Sequence, residues 1–260
     1  VLKTGGDIAL AYDTGGSTLE AASHKKGSVL HVTSQKPILD ADIASDGSIC
    51  YLSGESGYRS VLYVYNNEQA LIYRWLSSSQ YFMRCTVSSG AKYAAVAALG
   101  QEDGMFQSSV LLFRTDSEEI FRTIPIGNAL IYDLHFLSGN TLCVLCEDAL
   151  FFYNTDGQCL GSYSYEDAYL KDYTMDGAGF STLVMNLYKA GNRYTILTVG
   201  QDGTELGRLP SGEQILDISA SGKYLAILTS STLSIYDQSL REYDVSENTA
   251  GASSVVIRAD

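Results

Sequence analysis

The chain has 260 residues, of which 45% are hydrophobic and 18% charged, with only 3 prolines and a formal net charge of −13. This composition supplies a sizeable core and excludes a disordered tail. The 17 basic residues cluster only at His24, Lys25 and Lys26, which argues against nucleic acid or an anionic membrane as partner, because a phosphate surface needs gathered Lys and Arg to displace its counterions.

The 19 tyrosines, with abundant Val, Ile, Leu, Ser and Thr, favour strands, and the 24 glycines suit many tight turns. In chain order, one pattern recurs: an apolar strand, a small-residue turn carrying glycine, two more apolar strands and a more polar fourth. The first unit, 1–36, holds "IALAYDTGGSTL". The second, 37–80, runs from "DIASDGSICYL" at Asp42 through "SVLYVYNNEQ" to "LIYRWLSS". The third, 81–128, has "CTVSSGAKYAAV" at Cys85, then "SVLLFRTDSEE" and "EIFRTIPI". The fourth, 129–168, has "DLHFLSGNTLCVL" at Asp133, then "ALFFYNTDG" and "CLGSYSY". The fifth, 169–213, ends in "YTILTVGQDG" and "ELGRLPSG"; the sixth, 214–249, reads "DISASGKYLAIL", "TLSIYDQS" and "LREYDVS".

The expected turn glycines are Gly6, Gly47, Gly90, Gly139, Gly177 and Gly222, spaced by 41, 43, 49, 38 and 45 residues. That spacing matches four strands of a propeller blade. Strands such as "YLAILTS" are apolar on both sides, as expected where both faces of a blade pack on neighbours and no repeat is stable alone. No amphipathic helix pattern and no Pro- or Ser-rich linker interrupts the series. The reading is an all-β β-propeller, WD40- or quinoprotein-like, in one domain over 1–260. It has six full blades and a partial seventh, with "ASSVVIRAD" supplying a closing strand at 252–260. That strand pairs either with the N-terminal strands or with residues upstream of Val1.

Together, "IALAYDTGGSTL", "LIYRWLSSSQYF" and "VAALGQEDGMFQSSVLLF" resemble an uncharacterised bacterial family, numbered 5711 among domains of unknown function. Its members are propeller-like ectodomains of Gram-positive gut anaerobes. The likeness runs in order over nearly the whole chain. It implies a membrane-spanning helix ahead of the propeller and a place outside the membrane, at the cell surface. The chain starts at Val1 with no visible signal peptide and no run of 18 apolar residues, so the expectation is a fragment with its anchor upstream and no membrane contact of its own. The family carries no established activity to transfer.

Catalytic and metal motifs are absent from the sequence. Cys143 and Cys146 have the spacing of a zinc half-site, but in a strand residues three apart point to opposite faces. Cys50, Cys85, Cys143 and Cys146 lie in apolar strand runs and read as buried thiols; with Cys159 the count is odd, so no disulfide framework is expected. His135, in a strand beside Phe136, reads as a hydrogen-bonded core residue. Asp40, Asp42 and Asp46 echo a calcium loop without its glycine and glutamate. No GxSxG elbow and no phosphate loop occurs, and a single tryptophan argues against a quinone cofactor. No cofactor, metal or catalytic residue is expected.

Two sets of residues remain as candidates. Asp42, Asp133, Asp172 and Asp217 hold one position in the first strands of four units, where Cys85 stands in the third. First strands line a propeller channel, so these carboxylates would bind a cation or basic group, with pKa values raised by crowding. The alternative is that each accepts backbone N–H groups and fixes an inter-blade joint. The second set is Tyr73-Arg74-Trp75, residue types that dominate interfaces and stack on sugars, with Tyr81 and Phe82 nearby; here the alternative is packing between blades. The sequence therefore points to a monomeric, non-enzymatic scaffold that binds a protein, peptide or glycan. The alternatives are a carbohydrate hydrolase or lyase using acids at the channel mouth, and a sensor ectodomain.

Overall fold

The computed structural model describes residues 1–137, 140–165, 168–188, 191 and 193–258. Its strands form six four-stranded antiparallel sheets, each with its strands in chain order. The first sheet has β1 (Leu2–Gly5), β2 (Ile8–Tyr12), β3 (Thr18–Ser23) and β4 (Gly27–Thr33), and the second β5 (Asp40–Ile43), β6 (Ile49–Glu55), β7 (Tyr58–Tyr65) and β8 (Leu71–Ser77). The third has β9 (Tyr81–Val87), β10 (Tyr93–Glu102), β11 (Met105–Arg114) and β12 (Ile120–Gly127), and the fourth β13 (Ile131–Phe136), β14 (Leu142–Cys146), β15 (Ala149–Tyr153) and β16 (Cys159–Ser164). The fifth has β17 (Tyr169–Gly177), β18 (Phe180–Asn186), β19 (Tyr194–Gly200) and β20 (Glu205–Ser211), and the sixth β21 (Ile215–Ser221), β22 (Tyr224–Thr229), β23 (Leu233–Asp237) and β24 (Glu242–Ser246). Among the described residues no helix is long and apolar enough to cross a membrane.

The chain divides into two compact units. One comprises Val1–Phe136, Val144–Cys146 and Thr155–Gln158; the other comprises Leu137–Cys143, Glu147–Asn154 and Cys159–Asp260.

In the first unit the period of two explains the packing. On β6, Ile49 and Tyr51 join Leu10, Leu19 and Ile38 in one core, while Cys50 and Leu52 join Phe82, Val96 and Phe113 in another. Successive side chains leave a strand on opposite faces, so the second sheet buries both its faces. Full burial of a side chain such as Phe82 or Phe113 stabilises by roughly 2–3 kcal/mol. In the second unit Phe180, Val184 and Ile196 pack on Ile218, Leu225 and Ile227. Outer strands are the wettest: all five residues of β24 are exposed, so both its faces meet solvent.

Gly6, Gly47, Gly90 and Gly222 have positive φ, the left-handed region that glycine enters without a Cβ clash. Gly139 lies outside the described residues. The expectation for Gly177 is corrected: the positive-φ residue of that hairpin is Gly179, at 86°. Gly177 ends β17, bridges Gly222 in parallel, and lies where a Cβ would fall 2.6 Å from the Phe180 ring. The expected closing strand is also corrected. Residues 252–258 carry no strand, because Val255 and Ile257 give their N–H groups to the side chains of Asp217 (2.7 Å) and Ser219 (3.2 Å) rather than to a backbone ladder. Residues 259 and 260 lie outside the described residues.

Candidate functional site

In the first unit, β5 presents Asp40 and Asp42, two residues apart and hence on one face, both buried. The ammonium of Lys3, from β1, donates to Asp42 Oδ1 at 3.1 Å, and the Thr86 hydroxyl donates to Asp42 Oδ2 at 2.8 Å. Asp40 Oδ1 accepts the Tyr12 hydroxyl at 2.9 Å, and Asp40 Oδ2 accepts the Cys85 N–H at 2.8 Å. Thr86 Oγ1 in turn accepts the Phe136 N–H at 3.3 Å. Each oxygen of the two buried carboxylates therefore has a donor, which is what makes such burial tolerable.

Electrostatics follow from this geometry. Burial works against the charge of Lys3, but Asp42, Asp40 and Asp133 outweigh it and hold its pKa above the usual lysine value. Burial pushes Asp40 above the usual carboxylate value, with Lys3 and the Cys85 N–H opposing. Burial and the neighbouring Asp40 charge push the Tyr12 phenol up.

The structure thus brings Asp42 and Asp133 around Lys3, with Asp40 as a member that the repeat comparison missed. Asp133, on β13, accepts the Leu134 N–H on Oδ1 at 2.9 Å. In the second unit Asp172 accepts the Tyr173 N–H at 2.8 Å, and Asp217 accepts the Ile218 N–H at 3.0 Å. Both follow a bulge, in which Lys171 and Leu216 are the extra residues. Such a bulge turns the strand locally and aims the carboxylate back at its own chain. Burial raises the pKa of Asp172, the Tyr173 N–H opposes it, and the charge of Asp217 adds to the rise.

Sequence reasoning also missed Lys3, Tyr12 and Thr86. The available signals were a lone lysine within an apolar first strand and the DxD at 40–42. Asp46 belongs to a turn, accepting from the Ser48 N–H, the Ser48 hydroxyl and the Gly90 N–H. Among the described residues no group of three or more His, Cys, Asp or Glu side chains is placed to hold a metal. His135 is half-buried on β13. Cys50, Cys85, Cys143 and Cys146 are buried, whereas Cys159 is exposed.

On β8, Tyr73 is buried, Arg74 exposed and Trp75 half-buried. The Trp75 ring lies 5.3 Å and the Tyr73 ring 6.1 Å from Phe113. Arg74 pairs with Glu55 at 3.0 Å. These residues, with Tyr58, Ile72 and the turn Asp116–Glu118, line a groove of about 670 Å³. Tyr81 is exposed beneath the Arg59 guanidinium, 5.0 Å from its ring centroid, and Phe82 is buried.

Solved structures share this architecture. The C-terminal WD40 domain of Sif2 is 11% identical and superposes with a TM-score of 0.63 over 97% of this chain and 72% of that one. The RRP9 WD40 repeats are 9% identical, with a TM-score of 0.60 over 99% and 89%. Hydrazine synthase of Kuenenia stuttgartiensis is 14% identical, with a TM-score of 0.61 over 91% and 76%. At such identities the likeness shows the fold alone: a WD40-like β-propeller built of four-stranded antiparallel sheets. No curated protein matches the chain. Within that class, the chain belongs to the Family of unknown function (DUF5711), whose profile matches residues 1–246.

Proposed function

We propose that this protein is a non-enzymatic binding scaffold that recognises a protein, peptide or glycan, and that it works as an extracytoplasmic monomer tethered at the cell surface by a helix upstream. One observation carries the reading. Asp42 and its neighbour Asp40 accept donors from other strands, and Asp133, Asp172 and Asp217 each accept the N–H of the following residue, whereas the groove beside β8 offers Arg74 and half-buried Trp75 to a partner. Six full blades and a partial seventh belong to the same proposal. Its support is the C-terminal segment, whose Val255 and Ile257 N–H groups are received by Asp217 and Ser219 on β21.

Peptide and glycan arrays probed with the chain, followed by calorimetric titration of each hit, test the reading. A hit whose affinity falls tenfold or more in Trp75→Ala supports it. Binding unaffected by Trp75→Ala and Arg74→Ala overturns the groove as the site. The hydrolase reading rests on Asp172, pushed up beside Asp217; turnover of generic glycans, abolished by Asp172→Asn, would favour it instead.

A further inference from the structure

Cys50 and Cys85 are 35 positions apart in the chain, on β6 of the second sheet and β9 of the third. The two strands pack on each other. Both side chains are wholly buried in one core with Leu52, Phe82 and Val96, and their thiols are within hydrogen-bonding reach of each other. The register that brings them together is held from both sides. Cys50 lies directly across from Asp42 in the β5–β6 ladder, and Asp42 accepts the hydroxyl of Thr86, the neighbour of Cys85. Asp40 accepts the N–H of Cys85 itself. Two buried thiols that share one core between two packed strands, with the backbone beside each held by the same pair of aspartates, are candidates for a disulfide, since Cys pairs that face apart need backbone movement before they can bond.

We propose that Cys50 and Cys85 are a dithiol modification site, which a low-molecular-weight disulfide oxidises to a bond stapling the second sheet to the third. The Cys50 thiolate attacks the reagent disulfide, giving a mixed disulfide and releasing one thiol. The Cys85 thiolate then attacks the Cys50 sulfur and releases the second. The chain loses two electrons and two protons, and both appear in the two released thiols. Burial pushes both thiols above the usual thiol range, so neither is a ready thiolate while the core stays closed. Because neither sulfur meets solvent, exchange goes through an opened form. It is slow in the native protein and rapid during refolding. The other cysteines do not fit the role. Cys143 and Cys146 diverge from one strand, and Cys159 is exposed.

The test uses the whole chain carrying Cys159→Ser, which removes the exposed thiol. The protein is refolded in mixed oxidised and reduced glutathione, and its peptides are mapped by non-reducing mass spectrometry. The expected product is one linked pair, Cys50 with Cys85, in a monomer whose melting temperature, read by Trp75 fluorescence, is roughly 5–10 °C above the reduced form, from closure of a loop of this length. Cys50→Ala, which keeps the site apolar, loses both the linkage and the shift. Four unmodified thiols after refolding, a link to Cys143 or Cys146 instead, or a bond that leaves the melting temperature unchanged would each overturn the proposal.

Discussion

Replacing Lys3 by methionine keeps the length and most of the apolar stem but removes the ammonium that faces Asp42 at 3.1 Å. At that distance the gross attraction is about 5 kcal/mol for an effective dielectric constant of ~20. Water reaches 28% of the lysine side chain but only 5% of the aspartate, so part of the attraction is already offset by desolvation. Breaking a fully buried pair costs about 3–5 kcal/mol; discounted for the partial exposure of Lys3, the expected loss is ~2–3 kcal/mol. The assay is urea unfolding followed by the fluorescence of Trp75, the one tryptophan, which lies in the same compact unit as Lys3.

The sign of the pH dependence provides a second readout. In the variant, Asp40 loses the Lys3 charge that opposes the effect of burial, so its folded-state pKa, already raised, climbs further above that of the unfolded chain. The folded form then binds protons more readily, and the deficit shrinks as pH falls from 7 to 5. In the native protein the raised pKa of Lys3 means that its contribution is fully present below the ordinary lysine value, about 10.4, and is lost only as pH rises through the folded value. Adding Asp42→Asn to Lys3→Met restores at least half of the loss, since the buried side chain that faced the ammonium is then neutral. A change under about 0.5 kcal/mol, or a deficit that grows toward pH 5, would refute the reasoning.

Other substitutions probe separate features. The Tyr73 hydroxyl is buried without a hydrogen-bond partner, so Tyr73→Phe leaves stability unchanged or raises it by about 1 kcal/mol in the same urea assay; a clear loss would mean that the hydroxyl is bonded in solution. Gly161→Ala places a Cβ 2.0 Å from the Asp202 carbonyl oxygen, and overpacking of backbone on backbone costs about 2–3 kcal/mol; circular dichroism melting checks it, and an unchanged midpoint contradicts the close approach. Asp217→Ala removes the acceptor of the Val255 N–H, so hydrogen exchange at Val255 accelerates roughly tenfold while that of β22 is unchanged; equal protection in both proteins would show that the segment is held by something else.

How much of this was legible beforehand follows from the range of the forces involved. Strands, hairpins and their grouping in fours depend on neighbours in sequence: period-two patterning, and glycines at the turns. The six sheets could therefore be read from the chain, as could the burial of β22 on both its faces. The exception is instructive. Gly177 and Gly179 sit two residues apart in one hairpin; Gly179 takes the positive φ, while Gly177 is the one packed against the Phe180 ring, and the sequence pattern does not tell these two uses of glycine apart. The first-strand aspartates were visible as a repeat, but their partners were not. Lys3 meets Asp42 from 39 residues away, and Cys85 meets Asp40 from 45. The sequence by itself determined each sheet, because hairpin register is a local matter. Only the tertiary structure decided which faces of different sheets meet, and so which charges and thiols become neighbours, because docking between sheets joins residues that no local periodicity relates.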